Sequence, residues 1–190
     1  MQTKKSKRER IVEAALDEFL ELGFDRATIQ AIAKRAGVGK GTTYEYFSSK
    51  EELFSEVVET NVDYLVAELI EELDDSVPLY ESVRRFYQRN LNFVLSESKF
   101  KQILLQNFGK IPEDLQQRMV SKQQQLTISI EKLLEKAIDR GEIRELNPRV
   151  GASMLLKGLQ VIYHYQPKQG ETLAEVIEEQ LEIMFRGMRP

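Results

Sequence analysis

Residues Thr28–Phe47 read TIQAIAKRAGVGKGTTYEYF. Thr28 suits an N-cap, because its hydroxyl accepts from a backbone N–H that the first helical turn leaves without a partner. From Ile29 to about Ala36 the apolar residues recur with helical period, Gly37 and Val38 make a turn, and a second short helix runs from about Lys40 to Phe47. Two short helices that cross closely need a small residue at the crossing and a turn residue free to adopt positive φ. Ala33 and Gly37 stand four apart and meet both needs, with Ile32, Ala36 and Val38 supplying apolar packing. The second helix is expected to expose Lys40, Thr42, Thr43, Tyr44 and Glu45. A short helix rich in hydroxyls, with one base, fits a DNA major groove. The stretch therefore predicts a helix-turn-helix.

Working outward, almost every other segment has helical period and no run alternates like a strand. A helix over about 6–22 places Ile11, Ala15, Phe19 and Leu22 on one stripe, and Gly23 follows as its stop. Ser49 caps a long helix from Lys50 to about Leu73, with Glu51 and Glu52 suited to its first turn. Further helices are expected over about 79–96, 98–108 and 112–140, the last opened by Pro112 and stopped by Gly141. Asn147 and Pro148 open a helix to about Tyr165, and a final helix spans about 171–187. The expected fold class is all-α, with about nine helices. A three-helix head, 1–49, leads into a larger helical body, 50–190.

Charge divides along the same line. Residues 1–50 hold ten Lys and Arg against seven Asp and Glu, whereas residues 51–190 hold 17 against 24. A basic end on an acidic body suits a polyanionic partner for that end, although a solvated terminus has the same composition. There is no cysteine and one histidine, His164, so neither a disulfide framework nor a dedicated zinc site is expected, and no cofactor is implied. The Gly37–Thr42 run lacks the spacing of a phosphate-binding P-loop: Lys34 stands where that motif needs Gly, and Gly41 where it needs Ser or Thr. No Gly-x-Ser-x-Gly turn accompanies the lone histidine, so an enzyme is not expected. Neither an apolar leader nor a membrane-length apolar run is present, and a cytoplasmic protein is expected.

From Ile11 to Leu53 the chain resembles the DNA-binding region of the TetR (tetracycline-repressor) family. The resemblance rests on Ala14-Ala15, Phe19, Gly23-Phe24, Ala27-Thr28-Ile29, Ile32-Ala33, Ala36-Gly37-Val38, Lys40-Gly41-Thr42, Tyr44, Tyr46-Phe47, Lys50 and Leu53-Phe54. It covers about a quarter of the chain; the remainder is similar only in having further helices of suitable length. The family implies that Thr28 binds a phosphate at a helix N-terminus, where unpaired N–H groups and the helix dipole favour an anion. It implies that Lys40, Gly41 and Thr42 lead the recognition helix, with Gly41 allowing close backbone approach and Lys40 reaching a guanine edge or a phosphate. Tyr44 and Tyr46 are implied to touch phosphate or sugar, and Lys50 to grip a phosphate, contacts that position without specifying sequence. Gly39 departs from a more usual capping Ser or Thr. Thr43 departs from a larger aliphatic, loosening the helix there or meeting a thymine methyl. Glu45 stands where relatives place a base-reading side chain.

For the body the family implies ligand binding and dimerisation, hence a repressor released from a palindromic operator on double-stranded DNA by a small apolar inducer. The residues offer Tyr64, Leu65, Phe86, Asn90, Phe93, Leu104, Phe108, Met119, Gln123 and Met154 as pocket or as ordinary core. Asn90 and Gln123 are the informative pair, because a buried amide needs a partner. The last two helices carry broad apolar stripes, including Val150, Met154 and Ile162, then Ile177, Leu181 and Met184, with Gly158 allowing close approach. In the family these helices form a homodimer; otherwise they cover the protomer's own core. The rival reading is a helical interaction module that binds DNA or protein without a ligand-controlled transcriptional role. If Glu45 accepts from a cytosine N4–H, Glu45→Gln shifts base preference at that position by about 1–3 kcal/mol of discrimination. Binding to duplexes varied at each position measures this, and an unchanged preference contradicts it.

Overall fold

The computed structural model describes residues 5–96, 100, 102 and 113–189. Among them every regular element is an α-helix. The chain forms two compact units, Met1–Asp63 with Glu97–Met119 and Tyr64–Ser96 with Val120–Pro190. Apart from Phe100 and Gln102, the helix expected over 98–108 lies outside the described residues, as does the Pro112 start.

In the first unit α1 is Lys7–Arg26, α2 is Ile29–Ala36 and α3 is Lys40–Tyr46. Ser6 and Glu9 close a reciprocal capping box at the start of α1, satisfying two orphan N–H groups. Gly23, expected as a stop, breaks the helix with φ 75° and ψ 164°, and one more turn follows to Arg26. Ile11, Ala15 and Phe19 are fully buried on α1, as are Ile32 on α2 and Leu53 and Val57 further on. Phe19, Phe24 and Phe54 form a three-ring cluster with centroids 5.1–5.8 Å apart. The fourth helix, α4 (Lys50–Glu71), starts in this unit, with its Glu52 N–H held by the Ser49 hydroxyl at 3.0 Å, the cap expected from sequence.

The second unit contains α5 (Leu79–Leu95), most of α6 (Glu113–Asp139), α7 (Pro148–Gly158), α8 (Gln160–His164) and α9 (Leu173–Arg186). Asn147 caps α7 through Val150 N–H with Pro148 in its first turn, as the dipeptide predicts. Gly141, at φ 69°, ends α6 with two backbone bonds back to Ile138 and Ala137. The first turn of α5 has no capping side chain of its own; the Glu142 carboxylate accepts from Leu79 N–H at 2.7 Å instead. That bond holds the Glu142 carboxyl below its usual range, because it favours the ionised form.

The single helix expected from Pro148 to Tyr165 is in fact two. Tyr87 donates its hydroxyl proton to Leu155 O at 2.6 Å, and Gln180 Nε2 donates to Gly158 O at 2.9 Å. Leu159 N–H and Ile162 N–H bond one residue closer, to Leu156 O and Leu159 O. Each carbonyl released from the ladder is thus taken by a side chain from α5 or α9, and the helix tightens into a break between α7 and α8. A Cβ at Gly158 would lie 2.6 Å from Gln180 Nε2 and closer still to the Tyr87 hydroxyl. Gly158→Ala is therefore expected to destabilise by about 1–2 kcal/mol, the clash outweighing the ~1 kcal/mol gain in helix propensity. Urea unfolding at fixed protein concentration checks this; an unchanged or higher midpoint contradicts it.

Candidate nucleic-acid interface

Thr28, with β-region backbone, caps α2 by accepting from Ala31 N–H at 3.2 Å. Gly37 ends α2 in the left-handed conformation, φ 65° and ψ 38°, and its N–H and that of Val38 return to the last carbonyls of the helix. Ala33 is buried at the join, as expected for the small residue of a helix-turn-helix. On α3, Gly39 supplies the N-cap without a side-chain bond.

The outward face of α3 comprises Lys40, Gly41, Tyr44, Glu45 and Tyr46, with Thr42 half-buried. The Lys40 ammonium stands 5.8 Å above the Tyr44 ring, one helical turn along the same face. Thr43 corrects the sequence reading: it is 0% exposed and does not belong to that face. Its Oγ1 lies 3.5 Å from Gly39 O, so it fills the core as the family's aliphatic residue would while returning its hydroxyl to the preceding turn.

Lys50, the first residue of α4, is half-buried. Its Nζ donates to Phe24 O at 2.7 Å, Ala27 O at 3.1 Å and Asp25 O at 3.3 Å, and stands 4.5 Å from the Phe24 ring centroid. An ammonium has three donors, and in this structure each meets a backbone carbonyl. Of the other bases in the unit, Arg35 pairs with Glu21, Glu18 and Asp17 on α1, and Arg8 pairs with Glu56. Lys34 and Lys40 hold no ion pair among the described residues. Glu52 accepts from both the N–H and the hydroxyl of Ser48, each at 2.6 Å, which keeps its carboxyl below the usual range and the entry to α4 tied down.

The ten residues expected for a ligand site are scattered by class. Phe86 and Asn90 are buried, Leu65, Phe93 and Met119 half-buried, and Tyr64 and Met154 67% and 61% exposed. Gln123 is exposed, so it is not a buried amide. Leu104 and Phe108 lie outside the described residues. Asn90 is 4% exposed; its Nδ2 donates to the Tyr163 hydroxyl at 3.3 Å and its Oδ1 has no partner. Sequence reasoning passed over Tyr163, which has no short-range signal tying it to α5. Met154 lines two grooves, one of about 460 Å3 among α7, α8 and α9 and one of about 330 Å3 between α7 and the end of α9, with Met184 common to both. Among the described residues no group of three or more His, Asp or Glu could hold a metal ion, and no described helix is long and apolar enough to cross a membrane.

A buried helix-turn-helix join, a capped helix N-terminus and an exposed second helix define a helix-turn-helix DNA-binding regulator. Residues 11–57 match the family of bacterial regulatory proteins called tetR, and residues 74–188 match a tetracyclin repressor-like C-terminal domain. The HTH-type transcriptional regulator YhgD of Bacillus subtilis is 30% identical over 174 residues, 88% of this chain and 91% of that protein. The fold matches a TetR/AcrR-family regulator from Thermobifida fusca with a TM-score of 0.72 at 23% identity, over 98% of this chain and 100% of that one. It also matches AibR, solved with isovaleryl coenzyme A and operator DNA, with a TM-score of 0.61 at 21% identity, over 97% and 99%. The chain belongs to the TetR family of transcriptional regulators, which is not an enzyme family. Thr28→Ala is expected to cost the first unit about 1 kcal/mol through loss of the cap. Thermal unfolding followed by ellipticity measures it, and an unchanged midpoint contradicts it.

Proposed function

We propose that this chain is a cytoplasmic repressor that binds a palindromic operator as a homodimer and leaves it when a small apolar ligand enters the body. The observation that carries the reading is the outward face of α3, where Lys40, Tyr44, Glu45 and Tyr46 stand exposed over a buried seam of Ala33, Thr43 and Phe47. Residues 1–49 serve as the DNA-binding domain and 50–190 as the ligand-binding and dimerisation domain. Thr28 takes a phosphate at the N-terminus of α2, Lys40, Thr42 and Glu45 meet base edges, and Gly41 lets the backbone of α3 approach the DNA closely. Asn90 and Phe86 contribute to the ligand site, where one buried amide among apolar groups fixes orientation. An acyl thioester is the ligand class favoured by analogy with the isovaleryl coenzyme A bound to AibR.

The dimer is supported by apolar side chains that the protomer leaves uncovered: Val150 and Met154 on α7 are 55% and 61% exposed, and Ile183 on α9 is 65% exposed. A two-fold pair would present two copies of α3 about one DNA turn apart, or a multiple of it. α4 runs unbroken from Lys50 to Glu71, so a ligand that displaces it in the body moves its first turn too. Such a ligand acts only through its differential affinity for the two states, typically about 1–3 kcal/mol of coupling.

Fragmented genomic DNA incubated with the purified protein, recovered and sequenced, tests the reading. A short inverted repeat upstream of a few genes is the expected result. Diffuse recovery, with affinity collapsing as salt rises and no shared motif, would mean a non-specific electrostatic grip and end the regulator reading.

A further inference from the structure

We infer that Lys50 is a positioning residue for DNA binding: it holds the turn between α1 and α2 so that the Thr28 N–H faces out at the N-terminus of α2. The inference rests on the operator-binding reading above, and it assigns Lys50 a role different from a phosphate contact.

Lys50 belongs to α4. It is the first residue of that helix, where the helix dipole disfavours a positive charge and Glu51 and Glu52 are the residues that suit it. A lysine here gains nothing from its own helix. It gains from α1: after the Gly23 break the carbonyls of Phe24, Asp25 and Ala27 lie at the negative end of a helix, short of backbone donors. One half-buried ammonium meets all three. Its charge also lies over the ring of Phe24, which packs on Phe19 and Phe54.

The third carbonyl is the consequential one. Ala27 C=O and Thr28 N–H belong to one rigid peptide plane and, in the trans form, point in opposite directions. Drawing Ala27 O inward to Lys50 therefore turns Thr28 N–H outward, beside the hydroxyl that caps α2. Ala27 is itself buried, and its own N–H, in the preceding peptide, is held by Gly23 O at 3.2 Å, so the residue that carries the carbonyl is anchored from the α1 side as well. Lys50 thereby sets the N–H that, beside the Thr28 hydroxyl held on Ala31 N–H, the operator reading needs on a phosphate.

Two substitutions separate positioning from direct contact. Lys50→Arg keeps the charge, but a planar guanidinium cannot direct donors to three converging carbonyls. If Lys50 positions, Lys50→Arg weakens binding to the selected inverted-repeat duplex about tenfold with an unchanged salt slope. Lys50→Met weakens it likewise, and again the slope stays. Thr28→Ala then costs much less affinity in either Lys50 variant than in the wild type, because the two act through the same contact. That coupling is absent for a residue that only stabilises the fold. If Lys50 grips a phosphate, Lys50→Arg binds as wild type, and Lys50→Met lowers the slope by about 0.9 with additive Thr28→Ala losses; that result overturns the inference. Amide resonances of the DNA-free protein provide an independent arm, expected to shift over residues 25–31 in Lys50→Arg while those of α3 hold. Should the wild type select no duplex, the operator reading fails and this arm alone decides: resonances over 25–31 left in place overturn the role of Lys50.

Discussion

Two helices of eight and seven residues are too short to persist alone in water, and the head of this protein is built around that constraint. α2 survives because Ile29, Ile32, Ala33 and Ala36 are all buried, and it packs on both α1 and α3. α3 survives through Thr43 and Phe47. Once those faces are committed to the core, the faces left to solvent are fixed as well. The surface offered to DNA is the remainder after the short helices have been stabilised. This is why Thr43, polar by type, is pulled inside: its position on the turn of α3 matters more to folding than its hydroxyl does to recognition. Gly37 makes the arrangement possible, since the left-handed turn that returns the chain from α2 to α3 would strain any residue with a Cβ.

The features legible in the sequence are those that close within a few residues. The caps at Thr28, Ser49 and Asn147, the turn at Gly37 and the stop at Gly141 all carry their own partners nearby, and the helix-turn-helix followed from their spacing. The features that escaped depend on atoms far along the chain. Glu142 caps α5 from 63 residues away. Tyr87, 68 residues from Leu155, and Gln180, 22 from Gly158, split a helix whose local pattern is continuous. Lys50 reads as a surface cation at the start of a helix until the three carbonyls at the end of α1 come into view. Gln123 and Asn90 look alike as amides within apolar patterns, yet one faces water and the other is enclosed, because the helical phase of a long element is a weak guide to what its neighbours cover.

The second unit uses buried polar atoms to fix geometry more than to add stability. Tyr87 is lifted far above the ordinary tyrosine range by burial, so its hydroxyl stays protonated and donates to Leu155 O at any physiological pH. Glu178 on α9 gathers Arg84, Tyr80 and Gln88 from α5. These ties register α5, α7 and α9 on one another while leaving Val150, Met154 and Ile183 without cover. An α-helical body that is well registered inside and apolar outside along its last helices is prepared for a second copy, and two copies give one head for each half of a symmetric DNA site.

The central claim is that α3 of each protomer enters a major groove of a two-fold site. Dimethyl sulfate protection on a retained genomic fragment tests it directly, since guanine N7 lies in the major groove and adenine N3 in the minor. Two symmetric clusters of protected guanine N7, about one helical turn or a multiple of it apart, with adenine N3 unaffected, are the result predicted. A single cluster, or protection confined to adenine N3, would contradict the account.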